Sequence, residues 1–410
     1  MNKKLLIIGF VWPEPKSSAA GTRMMQLIAF FKSQSYQITF ASACAKSDNA
    51  VDLVALDIAP VAIELNESSF DTFVATYDPD IVLYDRFMTE EQFGWRVSQS
   101  CPNALTILDT EDLHFLRRAR QKAFKQNALV SQKALYNDTA KREIASIYRC
   151  DLSLIISSAE MELLITTFKI DESVLLYLPY LIDTISEENI TRLPKFENRH
   201  HFISIGNFLH EPNFDALKYL KDTLWDGIRK QLPNAQLHNY GAYASQKVNQ
   251  LHNEKEGFLI KGFAEDVNEV MRNAKVLLAP IRFGAGLKGK LFDAMQNGTP
   301  FVSTSIGVEG IFDYSNVDFV SDDPESFIKH AVTLYQNSSI WTAQRHFGLE
   351  ILKTRFSKSE FETLFLKRLE ILRENLEEHR QTNFIGQLLQ HHTLQSTKYM
   401  SKWIEAKNSK

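Results

Sequence analysis

Residues 282–300 read RFGAGLKGKLFDAMQNGTP, three glycines and three basic residues ahead of an Asn-Gly-Thr-Pro turn. An apolar run at 276–279 precedes it, and another begins after the turn Asn297-Gly298-Thr299-Pro300. Between them Leu287, Leu291, Ala294 and Met295 recur at helical spacing, which makes one buried helix face. Strand, loop, helix and strand in so short a space form a βαβ crossover, the unit that joins parallel strands.

The loop carries its own chemistry. Arg282, Lys288 and Lys290 gather around Gly284, Gly286 and Gly289 at a helix N-terminus, where free backbone N–H groups and the helix dipole favour an anion. A diphosphate suits such a place. Asp293 lies one turn further in, at i+3 from Lys290, and as an acceptor it suits vicinal sugar hydroxyls. A second reading stays open, in which the lysines are solvated and Asp293 pairs with Lys290. The glycines also spell G-x-G-x-x-G, but a dinucleotide site needs an acidic residue at the end of the following strand. Here that strand ends in Ser303-Thr304-Ser305, and Glu309 comes only after another glycine.

Outward from this unit, short apolar runs alternate with longer amphipathic stretches. Strands are expected near 4–9, 37–41, 81–84, 105–108, 152–156 and 174–177, and then near 201–205, 236–240, 258–260, 276–279, 300–303 and 318–320. Two α/β sets in series follow from this, joined near 186–200, where SEENITRLPKFENRH is polar and carries Pro194. The expected organisation is a first domain over 1–190, a second over 191–355, a helix over 356–380 with Phe361, Phe365, Leu369, Leu372 and Leu376 on one face, and a basic tail over 381–410 read as a partly disordered terminus.

Composition agrees. At 410 residues the chain is too long for one ordinary core and suits two domains of roughly 200 residues. A formal net charge of -4 gives no basic signature, so no nucleic-acid partner is expected. Cys44, Cys101 and Cys150 share no C-x-x-C spacing, which argues against a disulfide framework or structural zinc and for a reducing cytoplasm. The start imitates a secretory signal, but its apolar run is short and Pro-Glu-Pro-Lys interrupts it, so it reads as a buried first strand. No apolar run reaches transmembrane length.

A second polar cluster belongs to the first half. The run at 105–108 ends in DTEDLHFLRRAR, which puts Asp109, Glu111, Asp112 and His114 at a strand's carboxyl edge, where open α/β sheets place ligands. The alternative is a helix start in which Asp109 caps and His114 packs. Arg117, Arg118, Arg120, Lys122 and Lys125 follow, interleaved with Phe115, Leu116 and Phe124; such a stretch suits anionic lipid heads, an anionic acceptor or plain solvent. Asp85 and Arg86 end another strand and form a weaker acceptor-side pair. The doublets His200-His201 and His391-His392 are not read as metal sites.

The segment GAGLKGKLFDAMQNGTPFVSTSIGVEGI resembles the donor site of family 4 glycosyltransferases of the GT-B fold, in its G-x-G-x-K-x-K-x-x-E-A variant followed by a G-x-P-V-V turn. FVWPEPKSSAAGTRMMQL, CDLSLIISSAEMELL, VLLYLPYLID, ISIGNFLHEPNFDAL and KGFAEDVNEVMRNAKVLLAPIRFG are similar to further family segments in the family's order. The resemblance implies two Rossmann-like domains facing each other across a cleft, with the C-terminal helix crossing back to the first. It implies transfer of a sugar from a nucleotide-sugar donor to a glycan or lipid-linked acceptor, with retention, without metal or other cofactor, in the cytoplasm or at the inner face of a membrane. Carried onto this chain, Asp293 would bind the donor ribose, Lys288 and Lys290 would neutralise the diphosphate with Arg282 and the backbone at Gly284 and Gly286, and Gly262 and Phe263 would line the nucleobase. Gly21 would let the first loop approach the sugar phosphate, and His114 would serve the sugar, so that His114, Lys290 and Asp293 form the expected catalytic set. Asp85, Arg86, Asp109, Glu111, Arg117 and Arg118 would face the acceptor.

The chain departs from the family pattern in three places. Ala285 replaces the first glutamate, Asp293 is one methylene shorter than the second, and the usual basic residue after the second domain's first strand is missing, with His210 nearest to it. A sugar-nucleotide-binding or assembly subunit, and an epimerase on the same fold, are the competing functions.

Overall fold

The computed structural model describes residues 3–314 and 317–408. Seven strands form the first sheet: β1 (Lys3–Gly9), β2 (Tyr36–Ser42), β3 (Ala59–Ala62), β4 (Ile81–Asp85), β5 (Leu105–Asp109), β6 (Leu152–Ile155) and β7 (Leu175–Tyr177), in the order β3-β2-β1-β4-β5-β6-β7. Five form the second: β8 (Phe202–Ile205), β9 (Leu237–Tyr240), β10 (Phe258–Gly262), β11 (Val276–Ala279) and β12 (Phe301–Ser303), in the order β10-β9-β8-β11-β12. Every ladder is parallel. Helices cover both faces of the first sheet, so Leu5, Leu6, Ile7 and Ile8 are all fully buried and β1 reads as an unbroken apolar run.

Two strand expectations change. β3 escapes notice because APVA contains Pro60, which cannot donate to a ladder, and such a strand belongs at a sheet edge, where it lies. The expected strand near 318–320 is reduced to a single bridge between Ser303 and Val320.

Each sheet changes winding direction once, between β1 and β4 in the first and between β8 and β11 in the second. Loops that leave the carboxyl ends of such strand pairs diverge and open a crevice. The chain crosses between the sheets twice, and the crossings lie side by side: Ile182 N–H donates to Phe356 O (3.0 Å) and Lys358 N–H to Ile182 O (3.0 Å). The helix Lys358–Glu374 then packs on the first sheet's helices, with Phe365 stacked on Phe30 at 4.7 Å and Leu369 and Leu372 in the same core. Asn375 breaks this helix before Leu376–Thr382. The expected disordered tail is instead a helix, Phe384–Asn408, lying against the first domain.

Candidate functional site

The two crevices face one another and merge into a cleft of about 1290 Å³. The second domain supplies the helix Gly289–Gln296, whose first N–H groups have no partner within the helix, and the loop before it. Lys288 Nζ donates to Gly286 O (2.6 Å) and Ala285 O (3.3 Å), while Lys290 Nζ donates to Asn213 Oδ1 (2.9 Å). Lys290 thus gives its hydrogen bond to Asn213, and Asp293 lines the cleft. Burial lowers both lysines to about 8 and lifts Asp293 to about 7, against the mutual pull of Lys290 and Asp293. An arriving diphosphate would restore full charge to both lysines.

Gly286 has a reason beyond phosphate approach. Its φ is 64°, and a Cβ there would come within 2.9 Å of Asp112 Cβ in the first domain. Its N–H donates to Glu160 Oε1 (2.8 Å), and the same oxygen accepts from Leu113 N–H (3.0 Å). One fully buried carboxylate therefore ties the glycine loop of the second domain to the 111–113 loop of the first. Burial pushes Glu160 up to about 7, and its Oε2 has no hydrogen-bond partner among the described residues.

In the first domain Glu143 accepts from His114 N–H (3.1 Å) and Phe115 N–H (3.0 Å), satisfying the start of the helix His114–Lys125. Burial lifts Glu143 to about 8. His114 lines the cleft with its Nε2 3.3 Å from Asp112 Oδ1, and burial lowers it to about 4. Its ring is neutral near pH 7 and suits hydrogen bonding better than proton abstraction. Asp112 also meets Arg117 (3.0 Å); burial pushes its carboxyl up, but the Arg117 and His114 charges outweigh this and hold it below the usual range. Arg117 Nη1 lies 3.4 Å from His210 Nε2, so a guanidinium from the first domain stands beside the loop that lacks its basic residue.

The remaining expected residues divide. Arg86, Glu111 and Phe263 line the cleft, and burial, followed by the Asp109 charge, raises Glu111 well above the carboxylate range. Asp109 is instead fully buried against Arg23 (3.3 Å), and Asp85 accepts from Phe10 N–H (3.0 Å) below the cleft surface. Arg282 is turned away, paired with Asp215 (2.7 and 2.9 Å) and lying over Phe124 and Tyr219. Arg118 donates to Thr139 Oγ1 (2.6 Å) outside the cleft. Gly21 seats its own loop, since a Cβ there would meet the Glu14 backbone at 2.3 Å. Gly262 accepts from Gly241 N–H (2.8 Å) behind Phe263.

The basic helix His114–Lys125 is a contact between domains rather than a lipid-facing surface. Arg120 forms a fork with Glu309 (2.6 and 2.7 Å) and donates to Gly284 O (2.9 Å), Phe124 meets Phe283 at 5.2 Å, and Lys125 pairs with Glu211 (3.3 Å). Glu160 and Asn213 are site residues absent from the sequence expectations, while Arg120 and Glu309 appear there but not as the pair that joins the two domains. The sequence signal of Glu160 and Asn213 is an acidic or amide side chain within otherwise recognisable segments.

Two parallel sheets with their switch points across one cleft define the GT-B fold. The structure is similar to that of HepE from Anabaena, with UDP and glucose bound (TM-score 0.66, 13% identity, covering 90% of this chain and 100% of that one). It is also similar to sucrose-phosphate synthase from Thermosynechococcus elongatus (TM-score 0.64, 12% identity, 90% and 99%) and to S. aureus TarM in complex with UDP, fondaparinux and α-GlcNAc-glycerol (TM-score 0.55, 12% identity, 73% and 57%). Residues 199–337, most of the second domain, match the family described as Glycosyl transferases group 1. No curated protein matches the chain significantly in sequence.

Proposed function

We propose that the chain transfers a sugar from a nucleotide-sugar donor to a glycan or lipid-linked acceptor, with retention of configuration. The observation that carries this reading is the convergence of Lys288, Lys290 and the open N-terminus of Gly289–Gln296 on a cleft at two switch points. Asp293 accepts from the ribose hydroxyls, Phe263 lies beside the base, and neutral His114 bonds a hydroxyl of the transferred sugar. The bond from the anomeric carbon to the diphosphate breaks as the acceptor oxygen bonds to that carbon on the same face, and the acceptor proton passes to the departing phosphate oxygen. Lys288, Lys290 and the helix N-terminus stabilise the charge that develops, so this reading calls for no metal. Arg86, Glu111 and Arg117 face the acceptor.

UDP-sugars are the first donors to test, given the UDP bound in HepE and TarM. Among the described residues no helix is long and apolar enough to cross a membrane, and in our reading the protein works in the cytoplasm at a membrane surface, building a cell-surface glycan. The test is nucleotide release from UDP-, GDP-, ADP- and dTDP-sugars by wild type and Lys290→Ala. Release from one donor, lost in the variant, supports the transferase. Tight binding without turnover, with and without acceptor extracts, favours a sugar-nucleotide-binding subunit.

A further inference from the structure

A helix on a protein surface normally buries its apolar stripe and exposes its polar one. Phe384–Asn408 instead bonds to the first domain through polar side chains, with the half-buried Ile404 on the same arc, and leaves six large apolar side chains exposed. At about 100° per residue, Gly386, Gln390, Ser401 and Glu405 share an arc of about 100°, and this arc faces the first domain. Gln390 donates to Arg149 O (2.8 Å), Ser401 accepts from Arg96 (3.0 Å), Glu405 accepts from Ser68 N–H (3.2 Å), and Gly386 allows the helix to approach Tyr148 O closely. Phe384, Ile385, Leu388, Tyr399 and Trp403 fall within another arc of about 100°, with Met400 at its margin. These six are between 44% and 63% exposed.

We infer that this outward face docks on an anionic lipid surface. Charge selects the occupant. The helix carries Lys398, Lys402 and Lys407 at the rims of the apolar arc, and its single acidic residue, Glu405, is turned inward to Ser68. Lys407 Nζ stands 5.3 Å from the Trp403 ring. Tyrosine and tryptophan beside an apolar stripe with lysine rims suit the boundary between head groups and acyl chains. A second copy of this helix would bring no acidic side chain to the lysines, whereas anionic head groups do. The inference deepens the membrane setting proposed above and replaces the helix His114–Lys125 as the surface concerned.

The test uses the full chain without donor, so its failure and that of the transferase reading are separable. Co-sedimentation with phosphatidylcholine vesicles is compared with vesicles containing phosphatidylglycerol. Binding is expected to require the anionic lipid, to fall roughly fivefold for each of Lys398 and Lys402 replaced by glutamine, and to be lost in Tyr399→Ser/Trp403→Ser. Circular dichroism and melting of that double variant should match wild type. No binding to anionic vesicles, or binding indifferent to both sets of substitutions, overturns the proposal. So does sedimentation equilibrium showing a dimer that Trp403→Ser dissociates, which would assign the face to a second copy.

Discussion

The charged residues on the second domain's glycine loop and helix, and the two carboxylates that end β4 and β5 in the first, are used in opposite ways. In the second domain Lys288, Lys290 and Asp293 are aimed at the opening, each held by a backbone carbonyl, an amide or burial that leaves it available to a ligand. In the first domain Asp85 and Asp109, at matching register on β4 and β5, serve the domain itself, binding Phe10 N–H and Arg23. A carboxylate at the carboxyl edge of a parallel strand marks a ligand site only when no buried cation or amide has claimed it.

The largest effect should therefore fall on stability, in the first domain. Asp109→Asn leaves Arg23 buried without its counter-charge, and a loss of about 3–5 kcal/mol is expected in denaturant melts. A variant as stable as wild type but unable to use acceptor would return Asp109 to the acceptor site and undo the contrast. Lys290→Ala should leave the melt nearly unchanged while slowing nucleotide release by about 10²–10³-fold, the range for removing one donor to developing charge.

The pH dependence of donor affinity sharpens the same point. With Lys288 and Lys290 near 8 in the free protein, both are protonated below that value and must take up protons to hold a diphosphate above it. Affinity measured by calorimetry should fall above pH 8, by about tenfold per unit for each lysine. It should also weaken below pH 7 as Asp293 gains a proton and ceases to accept freely. A flat profile from pH 6 to 9.5 would remove these groups from the donor site. The smallest effect is Arg118→Ala, expected to change stability by less than about 0.5 kcal/mol and turnover hardly at all, whereas Arg117→Ala should raise the acceptor KM.

The donor segment was legible because its parts are local: glycines, lysines and Asp293 lie within ten residues, and helical spacing identifies the face that turns inward. The two-sheet plan was legible for the same reason, since parallel strands buried on both faces stand out as apolar runs. What stayed hidden depends on partners distant in the chain. Arg120 and Glu309 are 189 residues apart, Glu160 and Gly286 are 126 apart, and Lys290 meets Asn213 across 77. Arg282 misled for the converse reason: beside the glycines it looks like a phosphate ligand, but Asp215, Phe124 and Tyr219 hold it elsewhere. The last helix differs from a disordered tail because it bonds to the first domain through Gln390, Ser401 and Glu405, polar residues that no apolar pattern announces.

The double crossing at Ile182 and Phe356 also bears on how the chain comes off the ribosome. Phe365, Leu369 and Leu372 complete a core that contains Phe30, Phe31 and β1, yet they are made after the whole second sheet. Domains generally fold as units in the order of synthesis. Here the amino-terminal domain is begun first and sealed last, its early aromatic residues waiting for partners more than three hundred residues downstream.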